Sequence, residues 1–342
     1  MKTLLILGAT GLMGRRVASL AERLLPEARL LRAARRVADE PGWRRVDLHD
    51  RASLRHGLGG AQAVINAVGP FDYDPAPLIH ACEAAGAHYL DLAESVSFIR
   101  GARAAASGAV AVVSGCSTVP GLLQALAQRW REQPEVAALR AWLSMGSRNP
   151  VTSALLQSLL RPLGRSSPSG ERYFTRLQWA RDLAGRRRLY GRYPSLFDAE
   201  PLRLGAREVT LEFFAGFDRA AYGWLLRGAA PALARLSDGG LAAWCDLATP
   251  LLGAARLLGG RTGVLTLEAL DGAGTVLGAL EVRAEREGLN VPALPSVWAA
   301  RRLLSEGGGA CGAVGLDDLL TAEEVVVGLR AEGIAVECRE AE

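Results

Sequence analysis

Lysine is almost missing from this chain of 342 residues: Lys2 is the only one, and arginine supplies the rest of the basic charge. Without an interior lysine there is no Tyr-x-x-x-Lys pair of the short-chain dehydrogenase kind, no P-loop Gly-Lys-Ser/Thr and no Schiff-base chemistry. Cysteine is scarce as well. Cys82, Cys116, Cys245, Cys311 and Cys338 are scattered and never spaced Cys-x-x-Cys, which argues against a disulfide framework or dithiol motif and fits a reducing compartment. His80, Cys82 and His88 are poor joint ligands, because positions two apart on a helix point to different faces, so no metal is expected. A Gly-x-Ser-x-Gly elbow is lacking too, which leaves a serine hydrolase without support.

Long hydrophobic runs are absent. No window approaches the ~20 uncharged apolar residues of a membrane span, and the N-terminus enters a strand pattern without a basic-apolar-small leader, so the expectation is a cytoplasmic protein with no membrane span. The most apolar stretch, 220–260, is broken by Arg227, Arg235, Asp238, Asp246 and Arg256, and is read as helices in a core or at a subunit interface. The net charge of +4 comes from dispersed arginines, and aromatics make up only 6%, so a nucleic-acid surface is not expected.

Against these absences stands a regular alternation of short apolar runs and helical patterns. Residues 2–8 read as a strand buried on both faces, and Leu12, Val17, Leu20, Ala21 and Leu24 then recur at helical spacing until Pro26. Further strand patterns fall at 28–34, 44–48, 63–68, 88–92 and 109–114, with helices at 75–85 and 96–106, the signature of a doubly wound parallel sheet. Thr118 to Gly121 are placed to cap a helix running to about Arg131. Longer strand patterns at 137–145, 207–214, 263–270 and 276–284 predict an inserted α+β domain with a mostly antiparallel sheet. The stretch 147–204 reads as a lid or dimer contact, with Arg186 to Arg192 as a grip for an anion or a solvated loop. Helices close the chain near 297–304 and 319–330, around Gly307, Gly308 and Gly309. The expected domains are 1–130 (Rossmann, nucleotide-binding), 131–290 (substrate and dimerisation) and 291–342 (packing back on the first).

Gly8-Ala9-Thr10-Gly11-Leu12-Met13-Gly14 lies between the first strand and its helix, where backbone N–H groups and the helix N-terminus can hold a pyrophosphate. An NAD-specific site wants an acid ~20 residues past the glycines to accept the ribose hydroxyls. This chain has Arg35 and Arg36 there, which suit a 2′-phosphate, so the reading is NADP(H) rather than NAD(H). Asp47 is placed near the adenine edge and Ala67, Val68, Gly69 and Pro70 near the nicotinamide ribose.

These glycines, together with Val64-Ile65-Asn66-Ala67-Val68-Gly69-Pro70-Phe71, His88-Tyr89-Leu90-Asp91-Leu92-Ala93-Glu94 and Gly115-Cys116-Ser117-Thr118-Val119-Pro120-Gly121-Leu122, resemble the saccharopine dehydrogenase-like family in order and spacing. The likeness is specific over residues 1–125; Val291 to Pro295 and Gly312 to Leu320 are similar to the closing segment of bacterial members. The resemblance implies a Rossmann domain interrupted by a substrate and dimerisation domain, and NAD(P)-dependent oxidoreduction, often of an imine formed from an amine and a carbonyl compound. The lysine acid-base group of some saccharopine-forming members is missing here.

An acceptor for hydride then faces Pro70, Phe71, Tyr73, Asp91, Glu94, Cys116 and Ser117, at the ends of the fourth to sixth strands. Asp91 or Glu94 is a candidate proton donor or amine ligand, with a helix cap or surface pair as the alternative. Tyr73 is a second donor candidate, and Cys116 a candidate nucleophile or a small buried residue. Two other functions fit the same pattern: an enoyl reductase acting on a lipid-like substrate, with an apolar pocket in the second domain, and a non-catalytic NADPH-binding sensor or assembly protein. A homodimer acting on a small molecule is the expected assembly.

Overall fold

A computed structural model describes residues 2–37, 40–255, 259–305 and 309–340. Gly307 and Gly308 of the glycine run, and 256–258 at the end of the apolar stretch, lie outside the described residues. The chain forms two compact units, one of Met1–Ala125 with Leu289–Thr321, the other of Leu126–Gly288 with Ala322–Glu342.

The first unit opens with β1 (Thr3–Leu7), α1 (Leu12–Leu24), β2 (Arg29–Ala34), β3 (Trp43–Arg45), α2 (Arg51–Leu58), β4 (Ala63–Asn66), α3 (Ala76–Ala84), β5 (His88–Asp91), α4 (Val96–Ala105) and β6 (Ala111–Val113). Every residue of β1 is buried, as a strand covered on both faces requires. Burying each of Leu4, Leu5, Ile6 and Leu7 contributes about 1.5–3 kcal/mol. The strands pair in parallel in the order β6-β5-β4-β1-β2-β3. The chain therefore leaves β1 toward β2 on one side and returns to β4 on the other, and the crevice where that order reverses lies beyond Leu7, between Ala33 and Asn66.

Beyond β6 the backbone departs from the helix expected to start at Thr118. Residues 118–123 form a wide π-helical turn, all buried, and only then do α5 (Gln124–Ala127) and a 3-10 turn to Trp130 follow. Ser117, not Thr118, stands at the start, and no local side chain caps the turn.

The second unit contains β7 (Ala138–Met145), α6 (Ser153–Leu160), β8 (Leu177–Arg181), β9 (Arg187–Arg192), β10 (Leu202–Leu204), β11 (Arg207–Phe217), α7 (Ala220–Leu233), α8 (Asp238–Ala255), β12 (Gly263–Leu270) and β13 (Val276–Ala284). Its sheet is mostly antiparallel, as expected, but β7 and β11 at its centre run parallel. The 147–204 stretch supplies α6 and the strands β8, β9 and β10, which pair into that sheet, with turns and loops between them. The Arg186–Arg192 run is β9 rather than a solvated loop: Arg188 is buried, donating to Asp182 at 3.2 Å and to Ser144 Oγ at 2.9 Å.

The closing segment, expected to pack back on the first domain as one piece, is divided. The helix α9 (Leu294–Leu304) packs on α1, β4 and β5, β14 (Gly312–Ala313) extends the first sheet beside β6, and α10 (Leu316–Leu319) follows. The helix α11 (Ala322–Ala331) and β15 (Ala335–Glu340) instead join the second unit, where β15 pairs antiparallel with β13.

Candidate functional site

The glycine loop is shaped by contacts that exclude side chains. Gly8 has φ +74°, and a Cβ there would lie 3.0 Å from Ala67 O and from the Val68 side chain, so the chain at Gly8 passes close to Ala67 and Val68. At Gly14 a Cβ would lie 2.0 Å from Gly8 O, because the first turn of α1 packs directly on the end of β1. The loop is closed by Gly11 N–H donating to Gly8 O at 2.9 Å and Ala9 N–H to Ala33 O at 3.1 Å. A helix leaves its first N–H groups without intrahelical partners; α2, α4 and α6 satisfy one of theirs with Asp50, Ser95 and Thr152, whereas α1, like α3, α7 and α9, has no side-chain cap and no acid in its first turn. Thr10 and Gly11 are exposed. A solvent-facing, uncapped helix N-terminus in a cradle a Cβ would fill fits a dinucleotide pyrophosphate.

At the end of β2, Arg35 and Arg36 are exposed and hold no ion pair among the described residues, and no acid stands at the strand end. Asp47 lies two residues beyond β3 on the same edge, where Val46 N–H bonds to Ala34 O. Its carboxylate already accepts from His49 N–H at 3.0 Å.

On the other side of β1, a buried polar chain crosses the strand ends. Asn66 Nδ2 donates to the hydroxyls of Tyr73 (2.8 Å) and Tyr89 (3.0 Å), and its Oδ1 accepts from Val68 N–H at 3.1 Å. The Tyr73 hydroxyl donates in turn to Val68 O at 3.2 Å, and its ring packs edge-on against Phe98, as does that of Phe71. The 66–73 loop is thereby fixed by its own side chains. Burial pushes the Tyr73 phenol above its ordinary range, so it stays protonated.

Asp91 and Glu94 bind backbone. Asp91 Oδ1 accepts from Ala93 N–H and Gly115 N–H, both at 2.9 Å, tying the loop after β5 to the turn after β6. Oδ2 has no well-formed partner: the Ser114 and Tyr89 hydroxyls are near enough to lower the pKa, yet neither completes a good hydrogen bond to it. Complete burial outweighs those bonds and holds the carboxyl above the usual range. Glu94 Oε1 accepts from Thr118 N–H (3.0 Å) and Val119 N–H (3.3 Å), so it supplies from another loop the cap expected of Thr118. Burial of its carboxylate pushes the pKa up to about 7, against bonds from Ser117, Val119 and Thr118; the residue as a whole is exposed, and water limits the rise. Cys116 is buried, its Sγ donates to Val113 O, and burial raises its thiol well above the ordinary value, which removes it as a nucleophile.

No family model matches the sequence, and no curated protein matches it. Solved structures do. Saccharopine dehydrogenase (L-Glu forming) from Saccharomyces cerevisiae aligns over 100% of both chains with a TM-score of 0.64 and 12% identity. Homospermidine synthase from Legionella pneumophila, solved in complex with NAD, aligns over 99% of this chain and 91% of its own with a TM-score of 0.62 and 10% identity. The chain has the saccharopine dehydrogenase fold.

Within that fold the structure brings Gly8 to Gly14, Ala67 and Val68 together at the switch point, and leaves Asp91, Glu94 and Cys116 facing backbone amides and a carbonyl. Sequence reasoning passed over Asn66, Tyr89 and Ser114; the signal for Asn66 was a single amide ending the otherwise apolar β4. Removing the Asp91 carboxyl with Asp91→Ala orphans two buried N–H groups, at about 1–3 kcal/mol each, whereas Asp91→Asn keeps an acceptor in place. Urea unfolding is expected to show a loss of roughly 3 kcal/mol for alanine and little change for asparagine. A catalytic acid would instead make the two variants equally inactive with the fold intact.

Glu94 makes stability depend on pH. Its folded pKa is raised above the ordinary 4.5, to about 7 at most, so the folded state binds the proton more tightly; its contribution is complete below about 4.5 and is lost as pH rises through the folded value. Melting curves from pH 5 to 8 are expected to show the wild type falling relative to Glu94→Gln. Parallel curves would rule the shift out.

Proposed function

We propose that this chain is an NADP(H)-dependent oxidoreductase of the saccharopine dehydrogenase-like family, transferring hydride to or from a small imine or carbonyl compound. The observation that carries the reading is the uncapped glycine cradle at α1 beside two exposed arginines, Arg35 and Arg36, at the end of β2 with no acid there. In this reading Gly8, Ala9, Thr10, Gly11, Leu12, Met13 and Gly14 hold the pyrophosphate, and Arg35 and Arg36 pair with the 2′-phosphate. Asp47 borders the adenine, and Ala67, Val68, Gly69 and Pro70 border the nicotinamide ribose. The bound nicotinamide supplies or accepts the hydride. Tyr73, protonated and partly exposed beside Val68, is the proton donor in this reading, its hydroxyl turning from Val68 O to the substrate. The expected assembly is a cytoplasmic homodimer.

Following NADPH absorbance while the protein is offered paired amines and carbonyl compounds tests this reading. Oxidation that requires both partners supports imine reduction, and oxidation by the carbonyl compound alone supports ketone or aldehyde reduction. Binding without turnover favours the second reading, a non-catalytic NADPH-binding protein, for which the commitment of Asp91 and Glu94 to backbone amides speaks. The enoyl-reductase alternative called for an apolar pocket in the second unit. The cavity described there, about 460 Å³, has a mixed lining, with Leu139, Phe197, Leu211 and Leu270 beside Arg140, Arg192, Asp198 and Glu212.

A further inference from the structure

A single amide stands at the C-terminal end of the otherwise apolar β4: Asn66, fully buried and in register between Leu7 of β1 and Asp91 of β5. Its orientation is fixed by Val68 N–H, which can donate only to Oδ1, so Nδ2 gives one hydrogen to each of the Tyr73 and Tyr89 phenols. Each phenol oxygen, already holding a hydrogen from Asn66, sends its own hydrogen elsewhere. Tyr89 is closed off from solvent, whereas Tyr73 is partly exposed, its ring held edge-on by Phe98 of α4. The Tyr73 hydrogen goes to Val68 O at 3.2 Å, the longest of the four bonds in this chain. It lies beyond the roughly 2.5–3.0 Å of a good hydroxyl donor, and it is the bond that a ligand oxygen or nitrogen would replace.

Releasing that hydrogen as a proton leaves a phenolate out of bulk water, and its neighbours decide the cost. Burial opposes ionisation of Tyr73, and so do Asp91 of β5 and Asp72 of its own loop, both acids. Tyr89 of β5 shares the Asn66 amide with it, and α4 contributes the Phe98 ring. Asn66 acts the other way, because an N–H aimed at the oxygen binds the anion more strongly than the neutral phenol. An amide is a costly way to fill an apolar strand unless its hydrogens are used.

We infer that Asn66 is a positioning residue for the proton donor: it turns the Tyr73 hydrogen away from itself toward the substrate and steadies the phenolate left behind. The inference rests on the reading of Tyr73 as that donor. As hydride reaches the substrate carbon, the C=N or C=O π pair moves to nitrogen or oxygen, which takes the hydrogen while the Tyr73 O–H bond breaks; water then returns the proton. The test compares full chains carrying fluorotyrosine, a more acidic phenol, whose ionisation is followed by fluorine NMR as pH rises. The Tyr73 signal is the one that Tyr73→Phe removes. Asn66→Asp, of the same shape and still accepting from Val68 N–H, is expected to raise the Tyr73 midpoint by about one pH unit or more. Asn66→Ala, which adds no charge, is expected to raise it too, and serves if the aspartate variant does not fold. If Asn66 only holds the loop, its loss opens the ring to water and the midpoint falls toward the ordinary range. A fall, an unchanged midpoint, or a rise in the aspartate variant alone overturns the inference and leaves the donor reading standing. In turnover of the amine and carbonyl pair selected by NADPH oxidation, kcat should drop about a hundred-fold in both variants with KM within about two-fold; an unchanged kcat overturns the inference as well. A wild type without turnover, or a Tyr73→Phe variant that keeps it, removes the donor and with it the role of Asn66.

Discussion

Gly14→Val is expected to abolish dinucleotide binding, with affinity falling at least about a hundred-fold, near 2.8 kcal/mol. Any side chain at this position meets Gly8 O at 2.0 Å, Gly8 C at 2.6 Å and Ala9 Cα at 2.9 Å, all backbone atoms that cannot rotate aside. Either β1 and α1 move apart or the 8–11 loop shifts, and both displace the N–H groups that are to face the pyrophosphate. Part of the effect will appear as lost stability, because Leu4 to Leu7 sit at the centre of the core and α1 packs on them. Gly59→Ala is the control: its Cβ would meet nothing closer than 3.5 Å, at His56 O, and should leave both quantities unchanged. Titration of nucleotide fluorescence beside a urea melt separates the two contributions. Wild-type affinity in the Gly14→Val variant would remove the glycine loop from the site.

The second large effect is one of selectivity. Replacing Arg35 and Arg36 together by alanine is expected to weaken NADPH about ten- to a hundred-fold, the loss of charge-assisted hydrogen bonds worth about 1.5–3 kcal/mol. NADH, which lacks the 2′-phosphate, should be unaffected. Both side chains are exposed and without ion pairs among the described residues, so the substitution leaves no buried partner stranded and the fold should hold. The contrast should shrink as salt rises, since exposed charges are screened. Equal weakening of both nucleotides would mean that the arginines serve the loop rather than the phosphate.

The first unit was legible in the sequence because its signals are local. An apolar strand, a glycine turn and a helical stripe lie within 2–24, and the next strands repeat the pattern closely enough to give the parallel sheet. What was not legible depends on residues far apart. Asp91 and Glu94 read as proton donors or amine ligands, or else as a helix cap or surface pair, and only the fold shows that their partners are amides at 115 and 118–119. Arg188 read as part of an anion grip or a solvated loop, and its burial rests on Asp182 and on Ser144 of another strand. β15 has one buried residue among six, the profile of an edge strand, and carries almost no alternation to read. Asn66 was visible as a residue, but the two tyrosines it joins are seven and 23 positions away.

The central claim is that the crevice beyond β1 binds a nicotinamide dinucleotide and prefers the phosphorylated form. Fluorescence titration of the purified wild-type chain with NADPH and NADH tests it most directly. The account predicts saturable binding of both, with NADPH about ten-fold or more tighter at low salt. Binding of neither nucleotide would contradict it and leave a Rossmann sheet whose ligand is of another kind.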